Sequence, residues 1–167
     1  MDIAEYIETI ENKLKNNFDI TKNYDMNGYV YDLFAEFHVR NERYFLVKKA
    51  VIYGVENNEY VLIKHFENIN EDLCHNYTDY LIKSIKDIVK PTSEHMCSIV
   101  TGIIVADSIC DMDLEYYKRF IEKFKYNKTF AFGFKGWVDL RLLLVSLKDG
   151  LISANKKGKE VASIYNF

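Results

Sequence analysis

Eleven consecutive residues, Met96-Cys97-Ser98-Ile99-Val100-Thr101-Gly102-Ile103-Ile104-Val105-Ala106, are apolar or small at odd and even positions alike. A strand with one wet face alternates, so a run without alternation reads as a central strand covered on both sides, usually beside a parallel neighbour. The run is too short to span a bilayer, which takes about 18 apolar residues, so no membrane partner is expected. Helices must therefore lie on both faces of whatever sheet this strand joins.

The flanking sequence supplies them. Ile3, Tyr6, Ile7, Ile10 and Leu14 recur at helical spacing behind Asp2, with Glu5 placed for a capping box. Leu73, Tyr77, Leu81, Ile85 and Ile88 stripe a second helix from Ile69 to Val89, with Asn68 and Glu71 as its capping pair and Pro91 as its stop. A third runs from Asp113 to Tyr126, with Leu114, Tyr117, Ile121 and Phe124 inward.

Period two appears elsewhere. Tyr29 to Val39, Tyr44 to Tyr53 and Tyr60 to Phe66 read as a three-strand antiparallel meander, with turns at Arg40–Arg43 and Glu56–Glu59. Thr129 to Phe134 and Trp137 to Leu147 follow. Lys148-Asp149-Gly150-Leu151 is a hairpin signal before a return strand, Leu151 to Ala154. The tail from Lys156 to Phe167 carries a short helical pattern. Lys15 to Asn27 comes nearest to a linker, but Phe18, Ile20 and Tyr24 argue that it packs. The expectation is one α+β domain, residues 1–167, of order α-β-β-β-α-β-α-β-β-β: a mixed sheet with helices on both faces.

If the turns centre on Asn41-Glu42 and Asn57-Asn58, Phe37 faces Leu46, Leu33 faces Ala50, Ile52 faces Ile63 and Val51 faces Lys64. One face then holds Tyr31, Leu33, Ala35, Phe37 and Ile63 as core. The other gathers Asp32, Glu36, Lys49 and Lys64 beside Phe34, His38 and Leu62. Two carboxylates and a lysine can bind a divalent cation and position a water. Alternating charge on a solvated face explains the same residues without chemistry.

The order α-β-β-β-α-β resembles the core of the restriction-endonuclease-like superfamily, whose signature is an Asp on the second strand and Glu-x-Lys on the third. That resemblance implies a metal-dependent nuclease. The sequence departs from it: Leu62 stands where the Glu would be and Val51 where the Asp would be, and only Lys64 fits.

Other chemistry is thinly represented. His65, Cys74, His75, His95 and Cys97 lack zinc spacing, and the pairs at the two ends of the second helix would be about 30 Å apart. There is no nucleophile elbow, no dinucleotide fingerprint and no P-loop. No metal or cofactor is expected. Asp107, Asp111 and Asp113 follow the central strand, at an end where ligands bind in α/β sheets. Helix capping accounts for Asp111 and Asp113 and leaves Asp107 over.

The most unusual stretch is Thr129 to Arg141 (TFAFGFKGWVDLR). As a strand it puts Phe130, Phe132 and Phe134 on one face. Asp139 and Arg141 point one way from an apolar strand, beside Trp137. Asp107, Trp137, Asp139 and Arg141 are therefore candidate ligand-binding residues, and the aromatics match the composition of interfaces. The Gly136-Trp137 pair followed by an arginine strand resembles small prokaryotic domain proteins of unknown function.

With 25 acidic and 22 basic residues the net charge is −3, which argues against a dedicated nucleic-acid binder; the run Lys156, Lys157, Lys159 reads as solvated. Three scattered cysteines read as reduced thiols, and the start Met1-Asp2-Ile3-Ala4-Glu5 has no leader pattern, so a cytoplasmic protein is expected. Aromatics make up 15% of the chain. That excess points first to a non-catalytic binding or assembly module, homo-oligomeric through an aromatic surface. The metal-dependent enzyme and a small-molecule binder are the alternatives.

Overall fold

The computed structural model describes residues 1–44, 51–109 and 111–167. Its elements are α1 (Ile3–Leu14), β1 (Asp19–Met26), β2 (Tyr29–Tyr44), β3 (Val51–Phe66), α2 (Glu71–Ile88), β4 (His95–Ala106), α3 (Asp111–Lys123), β5 (Asn127–Thr129), β6 (Trp137–Ser146) and β7 (Leu151–Ala154). The order is the one expected. The strands form one seven-stranded mixed sheet, β1-β2-β3-β4-β6-β5, with β7 paired to the far part of β6.

β4 is the axis of the molecule. It runs parallel to both neighbours, β3 and β6. Its side chains enter two separate cores. Val100 and Ile104 join Leu62, Leu142 and Leu144 under α2 and α3. Ile103 and Val105 join Leu33, Ile63 and Leu143 under α1 and the C-terminal segment. Gly102 is a contact requirement on this strand: a Cβ there would lie 2.2 Å from Leu81 Cδ1, so α2 rests directly on the backbone.

α1 begins as read, with Asp2 and Glu5 in a reciprocal capping box. α2 is capped by Asn70, whose side chain accepts from the Leu73 N–H, rather than by Asn68.

The meander is displaced from its expected position. Its first strand is β1, from the segment that came nearest to a linker. The turn expected at Arg40–Arg43 is strand, as is the turn expected at Glu56–Glu59. Leu33 pairs with Ile63 and Phe37 with Glu59, so the expected pairings of Leu33 with Ala50, Phe37 with Leu46, Ile52 with Ile63 and Val51 with Lys64 are not the register. Leu46, Lys49 and Ala50 lie outside the described residues.

The physical reason is that the polar side chains at 56–59 have partners across the sheet and do not need a turn. Asn58 bonds His38, Glu56 accepts from Thr92, Asn57 accepts from the Cys97 thiol and Glu59 faces Arg141. Strand preference is set by such neighbours more than by composition. Alternation also breaks in β2. The ladder keeps its register from Lys22↔Leu33 to Tyr24↔Tyr31 but lacks the pair between them, Asn23 with Asp32, where Asn23 is at φ 50°. Tyr31 and Phe34 therefore share the α2 side, while Leu33 faces α1. The face read as solvated is buried at Phe34 and Leu62.

The segment Thr129–Phe134 is not a strand. β5 ends at Thr129 and a 3-10 turn spans Ala131–Gly133, so Phe130, Phe132 and Phe134 do not share a sheet face.

Gly102→Ala should destabilise the fold by about 1–3 kcal/mol through overpacking against Leu81. In a Leu81→Ala background the same substitution should cost much less. Urea unfolding of the double-mutant cycle measures this; equal costs in both backgrounds would refute the contact.

Candidate functional site

Between β5 and β6 the chain folds into a tight knuckle, residues 130–136. The Phe130 carbonyl accepts from the N–H groups of Gly133 (2.9 Å) and Lys135 (3.2 Å), and the Phe130 N–H donates to the Gly136 carbonyl (2.9 Å). Ala131 (φ 47°) and Phe132 (φ 55°) occupy the left-handed region. For a non-glycine residue that conformation costs roughly 1–3 kcal/mol and persists only where its surroundings enforce it.

Two contacts with β4 anchor the base of the turn at Phe130, Lys135 and Gly136. His95 is buried, and its Nδ1 donates to the Lys135 carbonyl at 2.6 Å while Nε2 meets the Ser98 hydroxyl at 2.9 Å. Its ring also meets Phe130 edge-on at 5.8 Å. Gly136, at φ 72°, passes so close to β4 that a Cβ would lie 2.0 Å from the Met96 carbonyl oxygen.

The braced turn holds two rings in water. Phe132 is fully exposed and Phe134 is 88% exposed. Met96, 47% exposed, and Trp137, 36% exposed, are also uncovered at this end of the sheet. Met96 has no partner in the β3–β4 register, which steps from Glu56↔His95 to Asn57↔Cys97. Two lysines flank the turn. Lys128 Nζ lies 5.5 Å from the Phe130 ring centre, and Lys135 is exposed on the turn itself. Lys125, Lys156 and Lys157 line a nearby cavity of about 340 Å³ with Tyr126, Asn127 and Asp139.

The residues expected to act together are dispersed. Asp32 and Lys64 do meet, at 3.5 Å, and Asp32 also accepts from the His65 N–H at 2.6 Å. Glu36 lies about 13 Å further along β2, at ~3.3 Å per residue, and turns to His38 instead. Asp107 pairs with His65 Nε2 at 2.8 Å beyond the C-terminal end of β4. Asp139 accepts from Asn127 Nδ2 at 2.8 Å and lies 3.8 Å from Lys157. Arg141 lies between Glu160 (3.3 Å) and Glu59 (3.8 Å). Asp139 is level with Ile99 on β4. That puts it roughly 26 Å of strand away from Asp107, so Asp107, Asp139 and Arg141 do not converge on one pocket. Trp137 belongs to the knuckle end.

A second polar group joins Glu36 and His38, read from the sequence onto one face, to a partner that was not foreseen. His38 Nδ1 bonds Asn58 Oδ1 at 2.8 Å and Nε2 bonds Glu36 at 3.1 Å. Both partners are acceptors, so both ring nitrogens donate and the imidazolium form is favoured. Burial pulls the His38 pKa down, but those hydrogen bonds and the Glu36 charge outweigh it, and the net shift is upward. The ring borders a cavity of about 400 Å³ lined by Arg40, Glu56, Tyr60, Lys90 and Thr92, with Arg40 paired to Glu94 through two hydrogen bonds. Alternation puts Glu36 and His38 on one strand face, but not Asn58, whose approach depends on a register that the turn-like residues at 56–59 concealed.

Neither described cysteine is an activated nucleophile. Burial raises the Cys74 thiol to about 11, and burial with Glu59 and Asp139 raises that of Cys97. Among the described residues no group of three or more His, Cys, Asp or Glu side chains is placed to hold a metal ion.

These features define an α+β mixed-sheet protein with a rigid aromatic projection at the end of the sheet where β4 and β6 begin. The chain belongs to the family described as a domain of unknown function (DUF8052), whose signature matches residues 2–167. No curated protein and no solved structure matches it, so the restriction-endonuclease-like resemblance rests on element order alone.

Two outcomes follow from this geometry. An NMR titration of His38 should give a midpoint above the usual 6.5, and Glu36→Gln should lower it. Because the folded value is raised, the stabilisation it brings is present in full below 6.5 and is lost as pH rises through the folded pKa. An unshifted midpoint would contradict the two hydrogen bonds. Separately, Gly136→Ala should cost 2 kcal/mol or more, on the order of the left-handed strain plus a backbone clash. A neutral result in thermal unfolding would mean the turn is not braced against β4.

Proposed function

We propose that the protein is a non-catalytic binding module and that its docking element is the knuckle bearing Phe132 and Phe134. The observation that carries this reading is the pair of phenylalanine rings held in water on one tight turn, Phe132 in the left-handed region and Phe134 just beyond it in the right-handed one. Burying such a ring contributes about 1.5–3 kcal/mol, which both rings forgo in the isolated chain. Exposure of both rings stabilises nothing within the fold, and it is offset when a partner covers them.

The metal-dependent enzyme reading has less behind it. Asp32 is engaged by Lys64 and the His65 N–H, and Glu36 by His38. The cavity beside His38 keeps small-molecule binding as a second reading, with Tyr60 as an apolar floor and His38 and Lys90 as polar contacts.

The test is the double substitution Phe132→Ser with Phe134→Ser. Surface rings that pack against nothing should leave unfolding free energy within about 0.5 kcal/mol of the parent. Retention on a phenyl-substituted matrix should fall sharply. A loss of more than about 2 kcal/mol would show the rings packed at home, as core truncations do, and unchanged retention would show that the apolar contact lies elsewhere. Either result sinks the reading.

A further inference from the structure

We infer that the surface engaged by the knuckle is an anionic lipid bilayer, into whose interface Phe132 and Phe134 insert. This rests on the reading of the knuckle as a docking element and names its partner.

Size comes first. Two aromatic side chains offer roughly 300–500 Å². A stable protein pair needs about 800 Å² from each partner. The projection is therefore small for a protein interface. It suits insertion into a headgroup layer, which needs no matching groove.

Shape is the second consideration. Phe132 is fully exposed and Phe134 nearly so, on a convex turn. A single-stranded nucleic acid is held in a basic groove with bases stacked on its floor. Here the rings stand clear of the surface.

Charge is the third. The chain carries a net charge of −3, yet lysines collar this end. Lys135 is exposed on the turn itself and Lys128 lies over the Phe130 ring at its base, while Lys125 and Lys156 line the cavity beside Asn127 together with Lys157, which is already paired to Asp139. Of the carboxylates nearby, Asp139 is paired with Lys157, Glu94 with Arg40 and Glu59 with Arg141, while Glu56 accepts from the uncharged Thr92 hydroxyl, which does not neutralise it. Lysines close to a bilayer are attracted by anionic headgroups. In a tip-to-tip pair of copies the same collars would face and repel each other.

Trp137 and Met96 complete the pattern. They are partly exposed at the base of the turn, where an aromatic ring lies at headgroup depth. The turn is preformed, so little ordering opposes insertion. No helix among the described residues is long and apolar enough to cross a membrane. Docking by a tip requires none.

The test uses the whole chain and two sets of vesicles, phosphatidylcholine alone and phosphatidylcholine mixed with phosphatidylserine, an anionic lipid of cytoplasmic leaflets, in a sedimentation assay. The expected result is binding to the anionic vesicles at least ~10-fold tighter than to neutral ones, weakened by salt. Phe132→Ser with Phe134→Ser, and separately Lys128→Glu with Lys135→Glu, should each reduce binding at least ~10-fold. Unfolding curves of both variants confirm that they are folded. Equal binding by parent and variants would overturn the proposal, as would no binding to either vesicle. So would a dimer in sedimentation velocity that the phenylalanine substitutions abolish. Tighter binding of a labelled single-stranded oligonucleotide than of anionic vesicles would also overturn it. If the phenylalanine variant loses retention on the phenyl matrix but the parent ignores vesicles, the docking element stands and the lipid partner falls.

Discussion

A strand buried on both faces cannot exist alone, and most of this molecule answers to that constraint. β4 has parallel neighbours on either side from Cys97 to Ala106, so it is paired on both edges over that stretch and its side chains need two separate covers. α2 and α3 supply one cover; α1 and the C-terminal segment supply the other. Gly102 sets how closely α2 approaches, and Tyr77, fully buried, reaches the Leu62 and Ile103 carbonyls from that helix. On the opposite side the Tyr6 hydroxyl donates to the Tyr165 carbonyl, tying α1 to the segment beside it. These buried polar groups are each satisfied, which is what allows them inside.

The C-terminal segment depends on Asn155, a residue whose type says little by itself. Its side-chain oxygen accepts from the Leu142 and Gly158 N–H groups, and its nitrogen donates to the Leu140 and Phe124 carbonyls. One amide thereby closes the gap between β6, the end of α3 and the final turns. The segment then lies over Arg141, whose guanidinium lies between Glu59 and Glu160. The Arg141 Nε is buried without a hydrogen bond. It is a local cost carried by an otherwise well-satisfied layer.

Element order, the central strand, α1 with its cap and the last hairpin were legible in the sequence, because each rests on local periodicity or local turn chemistry. The meander was legible in kind but not in place. Asn57 and Asn58 look like turn residues in isolation, and only their cross-strand partners, the Cys97 thiol and His38, make them strand residues. One wrong turn displaced the register and with it the polar cluster drawn from it. Of that cluster, Asp32 and Lys64 do meet. The aromatic stretch around Phe132 stood out as unusual, but alternation put its rings on a sheet face. The glycines at 133 and 136, both at positive φ, were the local signal for a turn. The role of His95 could not be read at all, since its partner is the backbone of residue 135.

The parallel arrangement of β3, β4 and β6 gives the molecule a direction. The knuckle lies where β4 and β6 begin, and the His65–Asp107 pair lies where β3 and β4 finish. Twelve residues of β4 separate the two ends, roughly 40 Å of extended chain. A surface grasped by Phe132 and Phe134 would meet the strands end-on, so the sheet would stand upright on it like a post. The His38 cavity, beside the foot of that post, would face sideways along the surface. The His65–Asp107 end would be held at a fixed height above it. Orientation and standoff would then be set by strand length alone, with no linker needed to fix either.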